Sequence, residues 1–185
     1  MRIVGGEFRG RPLVAPSGDA TRPTSDRLRE TVFDILIHRF SLPTEATRVL
    51  DLFAGTGALG LEALSRGASY ALFIDEGAAA RGAIRRNVET LGQTGRTKIF
   101  RRDATRLGEA GPIAPFHLVF ADPPYGRGLG VAALASAVRG GWLAPGALAV
   151  LEEAAGADVE APAGLAVLDE RRVGDSRILF LGGAA

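Results

Sequence analysis

Asp122-Pro123-Pro124-Tyr125 follows directly on the apolar run Leu118-Val119-Phe120-Ala121. Two consecutive prolines fix φ and remove two N–H donors, so the stretch presents oxygen acceptors in a rigid frame. The Asp122 carboxylate and a main-chain carbonyl near Pro123 suit the two N–H bonds of an exocyclic amine on guanine, adenine or cytosine. The lone pair of such an amine is delocalised into the ring. To attack an electrophilic methyl group the nitrogen must rehybridise, positive charge develops on it, and fixed acceptors favour that charge. Tyr125 offers a flat face on which a base can stack. Aspartate and proline are also common in exposed turns. The catalytic reading of Asp122, Pro123, Pro124 and Tyr125 therefore leans on their position in a series of apolar segments that run into acids.

Those segments are residues 49–52, containing Asp51; 71–74, followed by Asp75; 97–101, with Asp103 beyond; and 118–121, followed by Asp122. In open α/β sheets, ligands sit at the carboxyl ends of the strands, so four such acids describe one polar rim. After Asp51 comes Phe53-Ala54-Gly55-Thr56-Gly57-Ala58-Leu59-Gly60, in which Gly55, Gly57 and Gly60 match G-x-G-x-x-G. Alone, that match is weak. In a dinucleotide-binding enzyme the loop opens directly after the strand and meets a pyrophosphate. Here a carboxylate precedes it, which would repel a pyrophosphate and suits a cation such as the amino group of a methionine moiety. Asp75 follows Asp51 by 24 residues, near the ~20-residue offset of an acid that grips ribose hydroxyls. Asp103-Ala104 is placed to meet an adenine edge. The cofactor so described is S-adenosylmethionine, with Asp51, Phe53, Ala54, Gly55, Thr56, Gly57, Asp75, Glu76, Asp103, Ala104 and Asp122 as its candidate contacts.

The elements that must hold these residues are legible in the pattern. Ser25 or Asp26 can cap a helix whose Leu28, Val32, Phe33 and Leu36 fall on one face. Helices at residues 58–66 (closed by Gly67), 78–91 and 131–138 alternate with the acid-ended strands, and strands follow at 147–151, 165–172 and 177–181. Alternation of this kind argues for an α/β fold with a doubly wound, mostly parallel, seven-stranded sheet. Val173-Gly174-Asp175-Ser176 is too short for a parallel crossover and forces an antiparallel hairpin at one edge. Two extended pieces at residues 2–5 and 11–14, around a Gly-rich turn, read as a small N-terminal β-hairpin. The expected organisation is a hairpin appendage at 1–16 and a single domain at 17–185.

Composition narrows the chemistry. The 185 residues include no cysteine, which removes disulfides, thiolate metal sites and cysteine nucleophiles. His38 and His117 stand far apart, so no metal is expected and both read as structural. No apolar run approaches the ~20 residues of a membrane span, and the N-terminus shows no apolar secretory core. A cytoplasmic, monomeric protein is expected. The net charge of +1 conceals a basic stretch with Arg81, Arg85, Arg86, Arg96, Lys98, Arg101, Arg102 and Arg106. Arginine suits phosphate, though arginine replaces lysine nearly everywhere here and many of these can be solvated surface.

Taken with Met1-Arg2-Ile3-Val4-Gly5-Gly6, Arg9-Gly10-Arg11, Arg22-Pro23-Thr24-x-Asp26-Arg27-x-Arg29-Glu30 and Leu61-Glu62-Ala63-Leu64-Ser65-Arg66-Gly67, these motifs make the chain resemble a known family through nearly its whole length. It resembles the class I Rossmann-like methyltransferases that act on amino nitrogens. Within them it is similar to the bacterial small-subunit rRNA guanine-N2 methyltransferases, the RsmD family. The tetrapeptide marks only the amino-methyltransferase class; the N-terminal segment is the family-specific part. The resemblance implies S-adenosylmethionine as cofactor and methylation of a guanine N2 in 16S rRNA within the small ribosomal subunit. It also implies RNA contact through Arg2, Arg9, Arg11, Arg22 and Arg27. Asp75-Glu76-Gly77 departs from the usual helix start after the ribose-binding acid, leaving Asp75 and Glu76 as alternatives for the ribose.

Other readings stand beside this one. An adenine-N6 DNA methyltransferase needs a target-recognition module, for which the chain has little room. A nicotinamide-dependent dehydrogenase rests on the glycines alone and leaves the tetrapeptide unexplained. A non-catalytic RNA-binding assembly factor on the same fold would have no need of an intact cofactor loop.

Overall fold

Ser25 caps the first helix, α1 (Asp26–Phe40), its hydroxyl accepting from the Leu28 N–H at 3.1 Å in a computed structural model that describes residues 1–18 and 24–183. Leu28, Val32, Phe33 and Leu36 are the buried apolar residues of that helix. Strand and helix then alternate: β1 (Arg48–Leu52), α2 (Ala58–Ser65), β2 (Tyr70–Ile74), α3 (Ala78–Thr90), β3 (Thr97–Phe100), β4 (Phe116–Ala121), α4 (Leu129–Arg139) and β5 (Leu143–Ala154). β6 (Leu165–Val173) and β7 (Ser176–Gly183) close the described chain.

The seven strands lie in the order β3-β2-β1-β4-β5-β7-β6. Pairings among β1 to β5 are parallel, and β7 runs antiparallel to both β5 and β6. The edge hairpin demanded by the short 173–176 connection is present. Its antiparallel member, β7, sits one place in from the edge, and β6 forms the edge itself.

Helices cover both faces. One apolar cluster joins α1, α2 and α3 residues such as Phe33, Leu61 and Ile84 to Phe73, Phe120 and Phe180 of the sheet. The other joins Leu134 of α4 to Leu50, Leu72, Phe116 and the fully buried Trp142. Strand order reverses between β1 and β4, where an open α/β sheet leaves its ligand crevice.

The expected N-terminal hairpin is not formed as two regular strands. A single antiparallel bridge joins Arg2 and Pro12, with the Ile3 N–H donating to the Arg11 carbonyl at 2.9 Å. The physical reason is that backbone donors a ladder would use go elsewhere. Val4 and Gly5 donate to the two carboxylate oxygens of Glu62, Phe8 donates to Ser65 Oγ, and Val14 donates to Asn87 Oδ1. Ile3, Phe8 and Leu13 are buried in the α1–α2–α3 cluster. Glu62 is itself fully buried beside the buried Arg29, with Arg66 Nε donating to it at 2.9 Å.

Candidate active site

β1 and β4 are neighbours in register, Leu52 opposite Ala121, so the residues after each strand enter the same crevice. A cavity of about 680 Å³ opens there, lined by Asp51, residues 53–56, Asp75, residues 122–125 and Glu152, among others. Three of the four strand-end acids, Asp51, Asp75 and Asp122, thus share one cavity.

The glycine loop is shaped by close approach. Phe53 takes a left-handed φ of 55° and Gly57, the N-cap of α2, one of 78°. A Cβ on Gly60 would lie 2.5 Å from the Phe73 ring and 3.2 Å from Asp51 Oδ2, so glycine is required there for packing. The Gly60 N–H donates to Asp51 Oδ2 at 3.0 Å. Asp51 is 1 % exposed. Burial, opposed by that N–H and reinforced by the charge of Asp75, pushes its pKa up to about 8. Asp75 accepts from the Gly55 N–H at 2.9 Å and from the Gly77 N–H at 2.8 Å, tying the loop to the end of β2. Asn87 of α3 donates to the carbonyls of Thr56 and Val14, linking loop and N-terminal segment.

Asp103 is placed differently. Its carboxylate accepts from the N–H and hydroxyl of Thr105, capping a short 3-10 turn, Ala104–Arg106, and these bonds hold its pKa below the usual range. Ala104 lines a side cavity of about 80 Å³ with Phe53, Ile74, Asp75, Glu76 and Arg102. Asp75 borders both cavities, Glu76 only the smaller.

At the tetrapeptide, Thr24 Oγ1 donates to Asp122 Oδ2. Burial, then the neighbouring Glu152 carboxyl, push Asp122 well above the usual carboxylate range, against the Thr24 bond. Tyr125 Oη donates to Glu152 Oε1 at 2.6 Å and lies 2.7 Å from Ser176 Oγ. Thr24, Glu152 and Ser176 do not stand out in the sequence as site residues. Glu152 directly follows the apolar run 147–151, near the C-terminal end of β5, so the same rule extended to that run finds it. Thr24 lies within the family-like segment, where its spacing gives it no role.

Of the arginines expected at RNA, Arg27 is exposed and lines the cavity, and Arg9 is exposed. Arg2 is paired with Asp26 at 3.6 Å, and Arg11 donates to the Thr90 carbonyl. Arg22 lies outside the described residues. In the basic stretch, Arg81, Arg96 and Arg102 donate to backbone carbonyls, while Arg85 and Arg86 are exposed on α3. His117 Nδ1 accepts from the Arg48 N–H, and His38 is exposed on α1.

A parallel sheet with one antiparallel strand inserted beside its edge, a glycine loop after β1 and Asp-Pro-Pro-Tyr after β4 define a Rossmann-like methyltransferase. The same backbone path recurs at 14% identity in a ribosomal protein L11 methylase from Lactobacillus delbrueckii subsp. bulgaricus (TM-score 0.64, 88% and 81% of the two chains). More narrowly, the chain belongs to the RsmD family, whose profile, described as Conserved hypothetical protein 95, matches residues 1–182. It is 40% identical over 153 residues to ribosomal RNA small subunit methyltransferase D of Escherichia coli, spanning 82% of this chain and 74% of that one. The solved structure of yhhF from Escherichia coli superposes with a TM-score of 0.82 at 34% identity, over 99% and 97% of the chains.

Proposed function

We propose that this chain transfers a methyl group from S-adenosylmethionine to the exocyclic N2 of a guanine in small-subunit rRNA. The observation that carries this is the single cavity that holds both Asp51 with its glycine loop and Asp122 with its two prolines. The cofactor reading fits the donor set. Asp51 is a buried carboxyl that takes a backbone N–H and has no cation paired with it among the described residues, a setting that a cationic ligand group relieves. The glycines clear room for close approach, and Asp75 together with the small cavity at Ala104 suits a ribose and a flat apolar base. When bound, S-adenosylmethionine supplies an electrophilic methyl group on a sulfonium.

The remaining work belongs to the chain. Asp122 and a carbonyl of the rigid Pro123-Pro124 segment accept the two amine hydrogens and stabilise the charge that develops on nitrogen. The Thr24 hydroxyl steadies one Asp122 oxygen. Tyr125, anchored through its hydroxyl to Glu152 and Ser176, offers its ring to the base. Arg27 at the cavity, with Arg2, Arg9 and Arg11 on the N-terminal segment, supplies cations for the RNA backbone. That segment, residues 1–16, serves as the RNA-contacting part of the molecule.

Labelled methyl transfer onto undermethylated small ribosomal subunits, followed by nuclease digestion, tests this. Label in N2-methylguanosine is expected. Label in N6-methyladenosine, or binding without any transfer, would replace the reading with an adenine enzyme or an assembly factor.

A further inference from the structure

Glu152 lies near the C-terminal end of β5, on the wall of the same cavity, and is 8 % exposed. Its two oxygens differ. Oε1 accepts from Tyr125 Oη at 2.6 Å and from Ser176 Oγ at 2.9 Å. Oε2 is buried with no hydrogen-bond partner among the described residues. In Asp122, Oδ2 is the oxygen that takes the Thr24 hydroxyl. Two adjacent carboxyls, Glu152 buried and Asp122 half-buried, are electrostatically uncomfortable unless donors are shared between them. After burial, the neighbouring Glu152 carboxyl raises Asp122. Asp51, Asp75 and Asp175 also line the cavity, with Arg27 as its one cation among the described residues.

We propose that Glu152 is a specificity-determining residue, forming with Asp122 a pair of acceptors for the adjacent N1–H and N2–H donors of guanine. This rests on the guanine-N2 reading above. Guanine alone among the RNA bases presents two neighbouring donors on its Watson–Crick edge. Adenine and cytosine set a ring-nitrogen lone pair beside their amine, which a second carboxylate repels. A site built to bond a substrate N–H strongly rejects the analogue that lacks it, because its own polar group is left unpaired. The Tyr125 and Ser176 hydroxyls fix Glu152 for this role without using Oε2.

The test compares two otherwise identical substrate RNAs in small subunits, one with guanine and one with 2-aminopurine at the target. 2-Aminopurine keeps the exocyclic amine at C2 but carries a lone pair at N1. The wild-type chain is expected to prefer guanine at least about tenfold in kcat/KM, the scale of one substrate N–H bond made or missing. In Glu152→Gln the amide can turn an N–H toward N1, and the preference should fall toward unity. A wild type that treats both substrates alike, or a Glu152→Gln that keeps the wild-type preference, overturns the assignment of Glu152 while leaving guanine-N2 methylation intact. No transfer to the guanine substrate by wild type overturns the underlying reading as well. If Glu152→Gln turns over neither substrate, its relative affinity for the two decides: a lost guanine preference supports the role and a retained one refutes it.

Discussion

Asp51 sits in the core end of the site with a pKa pushed up to about 8 by burial, so most of it is neutral at neutral pH. A folded-state value above the unfolded one means that the folded chain holds more protons between pH ~4 and ~8, and stability falls as pH rises through that window. Asp51→Asn removes this penalty while keeping an acceptor for the Gly60 N–H. Its thermal midpoint at pH 8 should rise by about 2–4 °C, the effect of roughly 1 kcal/mol in a domain of this size. The same variant should lose S-adenosylmethionine binding in calorimetry. A lowered midpoint with cofactor binding kept would contradict a cation-binding carboxylate. At Asp122 the expectation is kinetic. Asp122→Ala should cut kcat by a factor of at least about 100, the scale of losing a preorganised acceptor, with an unchanged circular dichroism spectrum. Turnover within a few-fold of wild type would remove its role.

The loop between β1 and α2 works because α2 begins with its backbone pressed onto the sheet. A methyl group on Gly60 has no space beside Phe73 and Asp51. Gly60→Ala should destabilise the chain by about 1–3 kcal/mol, the cost of overpacking a filled core, as read by urea denaturation. Cofactor affinity should fall with it, because the intruding carbon displaces Asp51. Unchanged stability would show that the β1–α2 packing yields more easily than its geometry implies. The N-terminal segment depends on α2 as well, since Glu62 and Ser65 take its backbone donors. Asn87 extends that link to the loop carbonyl of Thr56. Cofactor loop and N-terminal segment are therefore coupled through one helix pair.

For the whole molecule, that coupling decides how RNA binding is best measured. Removing residues 1–14 would take Ile3, Phe8 and Leu13 out of the core, so loss of RNA binding and loss of fold would be confounded. Exposed side chains avoid this. Arg9→Ala combined with Arg11→Ala should weaken RNA binding, most strongly at low salt. The slope of log affinity against log salt should shrink by about 1 for each phosphate no longer neutralised. Cofactor affinity should hold. An unchanged slope would move the RNA surface elsewhere, for instance to exposed Arg85 and Arg86 on α3.

Local signals specify the elements. The Leu28–Val32–Phe33–Leu36 face, the acid-ended strands, the glycine loop and the short 173–176 turn each follow from spacing or turn length, and each stands where its chemistry places it. Bonds between distant residues are not legible in this way. Nothing near Val4 or Gly5 announces that Glu62 takes their donors, so the extended N-terminal pieces read as a hairpin. Likewise Asp103, an acid after a strand like the rest, turns to its own Thr105 instead of the shared cavity. A rim of acids around a glycine loop is written in the chain itself, because strand ends and tight turns are properties of neighbouring residues. Which carboxylates share a cavity, and the meeting of Thr24, Asp122, Tyr125 and Glu152 across as many as 128 positions of chain, is decided only by the tertiary fold: sheet order sets β4 between β1 and β5, and the segment before α1 brings Thr24 to Asp122.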